Sequence, residues 1–119
     1  VLFRSSVFDS RWEASEAFEL DRSPHVAAWV KNDHLGFEIT YSFRGIIRKF
    51  RPDYLVRLAN GKMLVLEVKG QDNQEQRTKR EFLDEWVRAV NGHGGCGLWA
   101  ADVSRSPTDI HEILQRNTA

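Results

Sequence analysis

The feature that most constrains the fold is a pair of apolar runs flanking the dipeptide Asn60-Gly61. Asn-Gly between two such runs is the strongest short-range indication of a β-hairpin, because both residues accept the positive φ that a tight turn requires. Residues 53–58 and 63–69 are therefore predicted to be antiparallel neighbours in one sheet. A fold for this chain has to contain that hairpin.

The register of the hairpin decides which charged side chains share a face. A two-residue loop would leave Asp53 and Glu67 on opposite faces, whereas a three-residue loop over 59–61 would set them across from each other. Gly61 suits the left-handed position of such a bulged turn. We therefore predict the register in which Asp53 faces Glu67, with Lys69 on the same face because strand side chains alternate.

The rest of the chain alternates between helical and strand-like patterns. The predictions are a helix from Ser10 to about Leu20, a short helix after Ser23-Pro24, strands over 37–41, 53–58 and 63–69, a helix to about Val90, a strand over 98–101 and a last helix after Ser106-Pro107. A second stretch opens at Ile46-Ile47 but is interrupted by Arg48, Lys49 and Arg51. The summary order is helix, three strands, helix, strand, helix. It predicts one α/β domain over 1–119, with a mixed sheet flanked by helices.

Length and composition exclude several classes of protein. A chain of 119 residues suits one domain, and its single Cys cannot form an internal disulfide, so a disulfide-built secreted scaffold is excluded. No apolar run reaches the ~20 residues of a membrane span, so we expect a cytoplasmic protein without a membrane partner. The four His residues lack metal-ligand spacing, so zinc is not expected.

The charges cancel overall but are unevenly distributed. There are 17 basic and 17 acidic residues, yet residues 43–80 hold ten basic and four acidic ones. A basic middle of the chain permits a polyanionic partner, while a solvated charged face is the alternative interpretation.

Asp53 and Glu67 are candidate metal ligands. Two carboxylates on neighbouring strands make the hard-oxygen site that Mg²⁺ prefers, and the carbonyl of Val68 is a candidate third ligand. Lys69 beside them would orient water and stabilise charge on a phosphate. The alternative is that Glu67 and Lys69 are outward residues of an edge strand.

The spacing Pro52-Asp53, thirteen residues, then Glu67-Val68-Lys69 resembles the signature of the PD-(D/E)XK nuclease superfamily. Further segments resemble the C-terminal endonuclease domain of type III restriction enzymes over nearly the whole chain from residue 8 onward. Those segments are 10–13, 26–32, Tyr41, 52–58, 66–70, Lys79, 86–91 and Trp99. The resemblance implies a restriction-endonuclease-like αβββαβ core and Mg²⁺-dependent hydrolysis of DNA phosphodiesters, with Mn²⁺ as a substitute ion.

The resemblance also assigns roles to residues. Asp53 and Glu67 would hold the metal, Lys69 would be the catalytic lysine, and Glu13 matches an acid on the first helix of many members. Lys79 matches a basic position on the helix that follows the 63–69 strand, and we expect it to bind DNA. The alternative is that Lys79 is a solvated lysine on that helix.

The role of Glu13 also depends on its position in the first predicted helix. Ser10 and Glu13 fit a capping box, which explains Glu13 without catalysis. Glu13 also lies on the predicted inward stripe of the helix with Ala17 and Leu20, whereas Glu16 is expected to point away from it.

The basic residues just before Asp53 are the predicted DNA-binding surface, because they would neutralise phosphates. They are Arg44, Arg48, Lys49 and Arg51.

Type III cleavage subunits also carry an ATP-driven helicase motor, and this chain has no G-x-x-x-x-G-K-[ST] loop. We therefore interpret it as a domain or fragment of a larger protein, partnered by a helicase/ATPase motor and a methyltransferase or recognition subunit. Two alternatives stay open. One is a non-catalytic DNA-binding or docking module of the same fold, and the other is a Holliday-junction resolvase or transposon-type nuclease.

Overall fold

The computed structural model describes residues 11–68 and 72–118, with side chains from residue 14 onward in those ranges. Its elements are α1 (Arg11–Arg22), β1 (Val26–Lys31), β2 (Ile39–Phe43), β3 (Ile46–Phe50), β4 (Tyr54–Leu58), β5 (Met63–Val68), α2 (Gln74–His93), β6 (Trp99–Ser104) and α3 (Asp109–Asn117). None of the helices in these ranges combines the length and hydropathy that a membrane span requires.

The main sheet has the strand order β1-β4-β5-β6. Strands β1, β4 and β5 are antiparallel neighbours, and β6 runs parallel to β5. Strands β2 and β3 form a separate two-stranded sheet that packs against α2. The predicted class, mixed α/β with a mixed sheet flanked by helices, is confirmed. Five described strands, rather than the three expected, precede α2, because β1 replaces a predicted helix and the interrupted stretch at Ile46-Ile47 forms the full strand β3, which pairs with β2.

The core lies on both faces of the main sheet. One cluster joins the sheet to α1 and α3, and its buried members are Leu20, Tyr54, Val56, Leu58, Leu64, Leu66, Ile110, Ile113 and Leu114. The second joins the sheet to α2 and the β2–β3 hairpin, and its buried members are Ile39, Tyr41, Phe50, Val65, Leu83 and Val87. Because side chains alternate along β5, Glu67 shares the α2 side with Val65.

The short helix predicted after Ser23-Pro24 is wrong, since this segment forms β1. Val26, Trp29 and Val30 fit a helical spacing, but the segment is short and pairs with β4 along its length. The backbone hydrogen bonds of that ladder, together with the edge-on contact of the Trp29 and Tyr54 rings at 5.7 Å, outweigh the local preference.

The expectation that Glu16 points away from the inward face is also wrong. Its side chain is fully buried, and Ser104 Oγ on β6 donates a hydrogen bond to Glu16 Oε2 at 3.3 Å. The buried face of α1 thus includes Glu16 and Leu20, one turn apart. A polar partner on a distant strand allows this acid to be buried.

Candidate active site

The β4–β5 hairpin has the predicted three-residue register. Tyr54 pairs with Leu66 and Arg57 with Met63, and the loop contains Gly61 at φ 90°. The Leu58 N–H donates to the Lys62 carbonyl at 2.8 Å, which closes the turn. The register prediction is confirmed because it depended on local turn chemistry that only glycine satisfies without strain.

This register brings the carboxyls of Asp53 and Glu67 into hydrogen-bond contact. Asp53 lies immediately before β4, and its Oδ2 accepts a hydrogen bond from the Val68 N–H at 2.9 Å. Asp53 is thus tied to the strand that carries Glu67. The two acids meet on the α2 side of the sheet, at the end where β4 begins and β5 finishes.

The electrostatics of Glu67 are strongly perturbed. Burial, reinforced by the charge and hydrogen bond of Asp53, raises the pKa of Glu67 to about 8, against the opposing effects of Lys79 and Arg80. At neutral pH the Glu67 carboxyl is therefore protonated and donates to Asp53. A divalent cation that displaced this proton would relieve the repulsion between two carboxylates, so the donor pair fits a hard metal ion.

Asn32 holds Asp53 in place and was not recognised from the sequence. Its backbone N–H donates to the Asp53 carbonyl and its Nδ2 to the Pro52 carbonyl, both at 2.8 Å. Nδ2 also donates to the Phe37 carbonyl at 2.9 Å. The sequence marks Asn32 only as a place where an element stops, and no local spacing connects it to residues 52–53.

Replacing Asn32 with Leu is expected to lower the free energy of unfolding by about 2–4 kcal/mol, because it removes the side-chain donor to two carbonyls within a site that is only 5% exposed. Urea denaturation would measure this. Gln115→Leu, an amide-to-Leu change on the exposed side of α3, should cost less than about 0.5 kcal/mol. If Asn32→Leu and Gln115→Leu had the same free energy of unfolding, the Asn32 side chain would not be what holds the segment of Pro52 and Asp53 in place.

Helix α2 supplies two cations beside the carboxyl pair. The Lys79 ammonium lies 5.7 Å from the Tyr41 ring centroid and 5.6 Å from that of Phe50, and both Lys79 and Arg80 lower the pKa of Glu67. Lys79 is therefore half-buried and faces the site. Sequence reasoning missed Arg80, because helical spacing alone does not show which charges on α2 reach the sheet.

The β2–β3 hairpin is fixed to α2 by Glu75. The Tyr41 hydroxyl donates to Glu75 Oε2 at 2.6 Å, and Arg48 Nη1 lies 3.7 Å from the same oxygen. The Tyr41 hydrogen bond is the main reason that the pKa of Glu75 is lowered. Since Glu75 is one turn before Lys79, this contact places the hairpin next to the carboxyl pair.

The four predicted DNA-binding residues of the hairpin do not share one face. Arg48 is paired in register with Tyr41 and lies on the α2 side. Lys49 and Arg51 form ion pairs with Glu38 at 3.9 and 3.1 Å, and Arg44 lies in the turn, with its guanidinium 4.9 Å from the Phe43 ring centroid.

Two predicted catalytic groups are beyond what the structure describes. Lys69 lies outside the described residues, and Glu13 lies in α1 with its side chain outside them. Among the described side chains, no group of three or more His, Cys, Asp or Glu residues is arranged to hold a metal ion. Asp53 and Glu67 are two described carboxyls that the hairpin register brings into contact.

No protein-family model, curated protein or solved structure matches this chain. Its function has to be inferred from the chemistry of the site.

Proposed function

We propose that this chain is a metal-dependent DNA endonuclease domain that hydrolyses phosphodiester bonds. The observation that carries the proposal is the contact between the Asp53 and Glu67 carboxyls at one end of the main sheet. Two half-buried carboxyls in contact repel each other when both are ionised, so such a pair is more typical of a functional site than of a structural one.

Asp53 and Glu67 would hold Mg²⁺ or Mn²⁺, and the Val68 carbonyl is the proposed third protein ligand. When bound, the ion polarises a phosphoryl oxygen and makes water a stronger nucleophile. Lys79 and Arg80 add positive charge beside the pair and would attract the DNA phosphate. We assign Lys69, two residues after Glu67, to orienting water and stabilising charge on the phosphate, and Glu13 to a supporting role.

The order of elements in the main sheet supports the same proposal. Leaving out the β2–β3 hairpin, the chain runs α1, β1, β4, β5, α2, β6. This order agrees with the helix, three strands, helix, strand order that the resemblance implies for a PD-(D/E)XK core, and we interpret the hairpin as an insertion in it. We further propose that the domain is the cleavage module of a type III-like restriction enzyme, working with a helicase motor and a methyltransferase or recognition subunit.

Nicking of supercoiled plasmid in Mg²⁺ or Mn²⁺ tests the proposal, with EDTA as the metal-free control. We expect divalent-dependent nicking that is lost in Lys69→Ala and retained in Lys62→Ala, a lysine at the opposite end of β5. Folded wild-type protein that nicks equally well in EDTA would contradict the metal dependence, and folded protein that does not nick at all would count against an autonomous nuclease. A strong preference for four-way junctions over linear duplex would instead favour the resolvase alternative.

The salt dependence of DNA binding tests the hairpin surface. Each phosphate contact contributes about 0.9 to the slope of log K against log salt, so Arg48→Ala with Arg51→Ala should flatten that slope by about 2. Fluorescence anisotropy of a labelled duplex across a salt series would measure it. Arg22→Ala is the matched control, because Arg22 is also exposed and also pairs with a glutamate, Glu19, at 3.3 Å; it should leave the slope unchanged.

A further inference from the structure

The β2–β3 hairpin ends in two exposed isoleucines that the proposed active site does not use. Ile46 is 53% exposed and Ile47 is 75% exposed. Because neighbouring strand residues point to opposite faces, the tip presents apolar surface on both sides of the ribbon. Adjacent apolar side chains left in solvent are typical of a surface that contacts a partner.

The turn that joins the two strands is strained at Arg44. Arg44 has φ 53° and Gly45 has φ 80°, so both residues of this two-residue turn are left-handed. Asn, Asp or Gly is favoured at the first of these positions, whereas arginine adopts it at a cost. Such strain persists only where the surrounding structure over-determines it, and here the guanidinium lies 4.9 Å from the Phe43 ring centroid, in the turn that leads into the two isoleucines.

The charge of the hairpin indicates the chemistry of the partner. Residues 39–51 contain four basic residues and no acidic residue. The glutamates that pair with Arg48, Lys49 and Arg51 come from outside this segment. With those two glutamates, Glu38 and Glu75, counted against the four basic residues, the ribbon keeps a net charge of 4 − 2 = +2. An apolar tip on such a basic ribbon complements a polyanion that also has an apolar interior, and stacked base pairs in duplex DNA provide both.

The hairpin is attached at the candidate site. It is inserted between β1 and β4, and β3 ends at Phe50, three residues before Asp53. The Tyr41 hydrogen bond to Glu75 fixes the ribbon to α2 beside Lys79. A duplex placed at the carboxyl pair would therefore lie within reach of the ribbon.

We propose that the tip of the β2–β3 hairpin is a DNA wedge, in which Ile46 and Ile47 insert between base pairs from the minor groove while Arg44 contacts the adjacent backbone. This inference rests on the proposed function, since duplex DNA is its substrate. Insertion of apolar side chains unstacks a base step and bends the duplex, and the bend brings more of the DNA onto the protein. The wedge would thus position a bent duplex over Asp53 and Glu67.

Binding and bending of an end-labelled duplex of about 20 base pairs, measured in EDTA, test the wedge separately from cleavage. The double variant Ile46→Ser with Ile47→Ser should bind about tenfold more weakly or worse and should leave the ends of the duplex farther apart by energy transfer. The slope of log K against log salt should not change, because no phosphate contact is removed. Leu98→Ser is the matched control at another exposed apolar residue, 63% exposed, and should bind and bend DNA as the wild type does.

Three results would overturn the wedge. The first is equal DNA affinity and equal DNA bending in the double variant and the wild type. If divalent-dependent nicking is still observed in that case, the endonuclease proposal stands and only the wedge is rejected. The second is weaker binding with a flattened salt slope, which would assign the tip to phosphate contacts. The third is a wild-type dimer that the double variant converts to monomer without any change in DNA binding, which would assign the tip to a second copy of the chain.

Discussion

Glu67→Gln is expected to lower divalent-dependent nicking about a thousandfold or more without unfolding the protein. The change removes one of the two carboxylates proposed to hold the ion, and losing several kcal/mol of transition-state stabilisation corresponds to a rate loss of that size. The fold should persist, because the Glu67 carboxyl is already protonated at neutral pH, with a pKa of about 8. A glutamine amide can donate to Asp53 in the same way.

Nicking rates and thermal melting of the same preparations would test this expectation. Glu85→Gln, the same change at an exposed position on α2, should nick at the wild-type rate. A Glu67→Gln protein that retains more than about a tenth of wild-type nicking would remove Glu67 from the metal site. If it loses both nicking and its melting transition, Glu67 has a structural role instead.

The affinity for Mn²⁺ or Mg²⁺ is expected to rise about tenfold per pH unit from pH 5 to about pH 8 and then to level off. Below pH 8 the ion has to displace the proton held by Glu67, whose pKa is raised to about 8 mainly by burial and then by Asp53. Titration calorimetry in two buffers of different ionisation enthalpy would show release of about one proton per ion at pH 6.5. Affinity independent of pH, with no proton released, would contradict a site that includes Glu67.

The raised pKa of Glu67 also predicts that the metal-free protein becomes less stable as the pH rises, whereas the affinity for the ion increases. A carboxyl whose pKa is raised in the folded state binds its proton more tightly there. Its contribution to stability is therefore complete below the unfolded value of 4.5 and is lost as the pH rises through about 8. The free energy of unfolding in EDTA should fall with a limiting slope of about 1.4 kcal/mol per pH unit in this window. Glu67→Gln should remove that part of the slope, and an unchanged slope would show that another group is responsible.

Much of the fold follows from short-range patterns. The apolar runs over 53–58 and 63–69, with the turn at Asn60-Gly61, predicted β4, β5 and the register that joins Asp53 to Glu67. Helical spacing predicted α2, and the strand predicted over 98–101 overlaps β6 at Trp99–Ser104. These predictions succeeded because each depends on the local geometry of a turn, a strand or a helix.

Other parts could not be predicted, because they depend on contacts between distant segments. The segment that forms β1 has a helical spacing, and only its ladder with β4 makes it a strand. Burial of Glu16 depends on Ser104, far along the chain on β6. Asn32 acquires its role from the carbonyls of residues 37 and 52.

By itself, the sequence determined that Asp53 and Glu67 would share a face, because turn chemistry and the two-residue period of a strand are local properties. Only the tertiary structure decided what surrounds them. It set Lys79 and Arg80 beside the carboxyls, buried Glu67 so that its pKa rises, and attached the β2–β3 hairpin to α2 through Tyr41 and Glu75. Burial and charge proximity depend on which elements pack together, and that packing is settled by the whole chain rather than by any one segment.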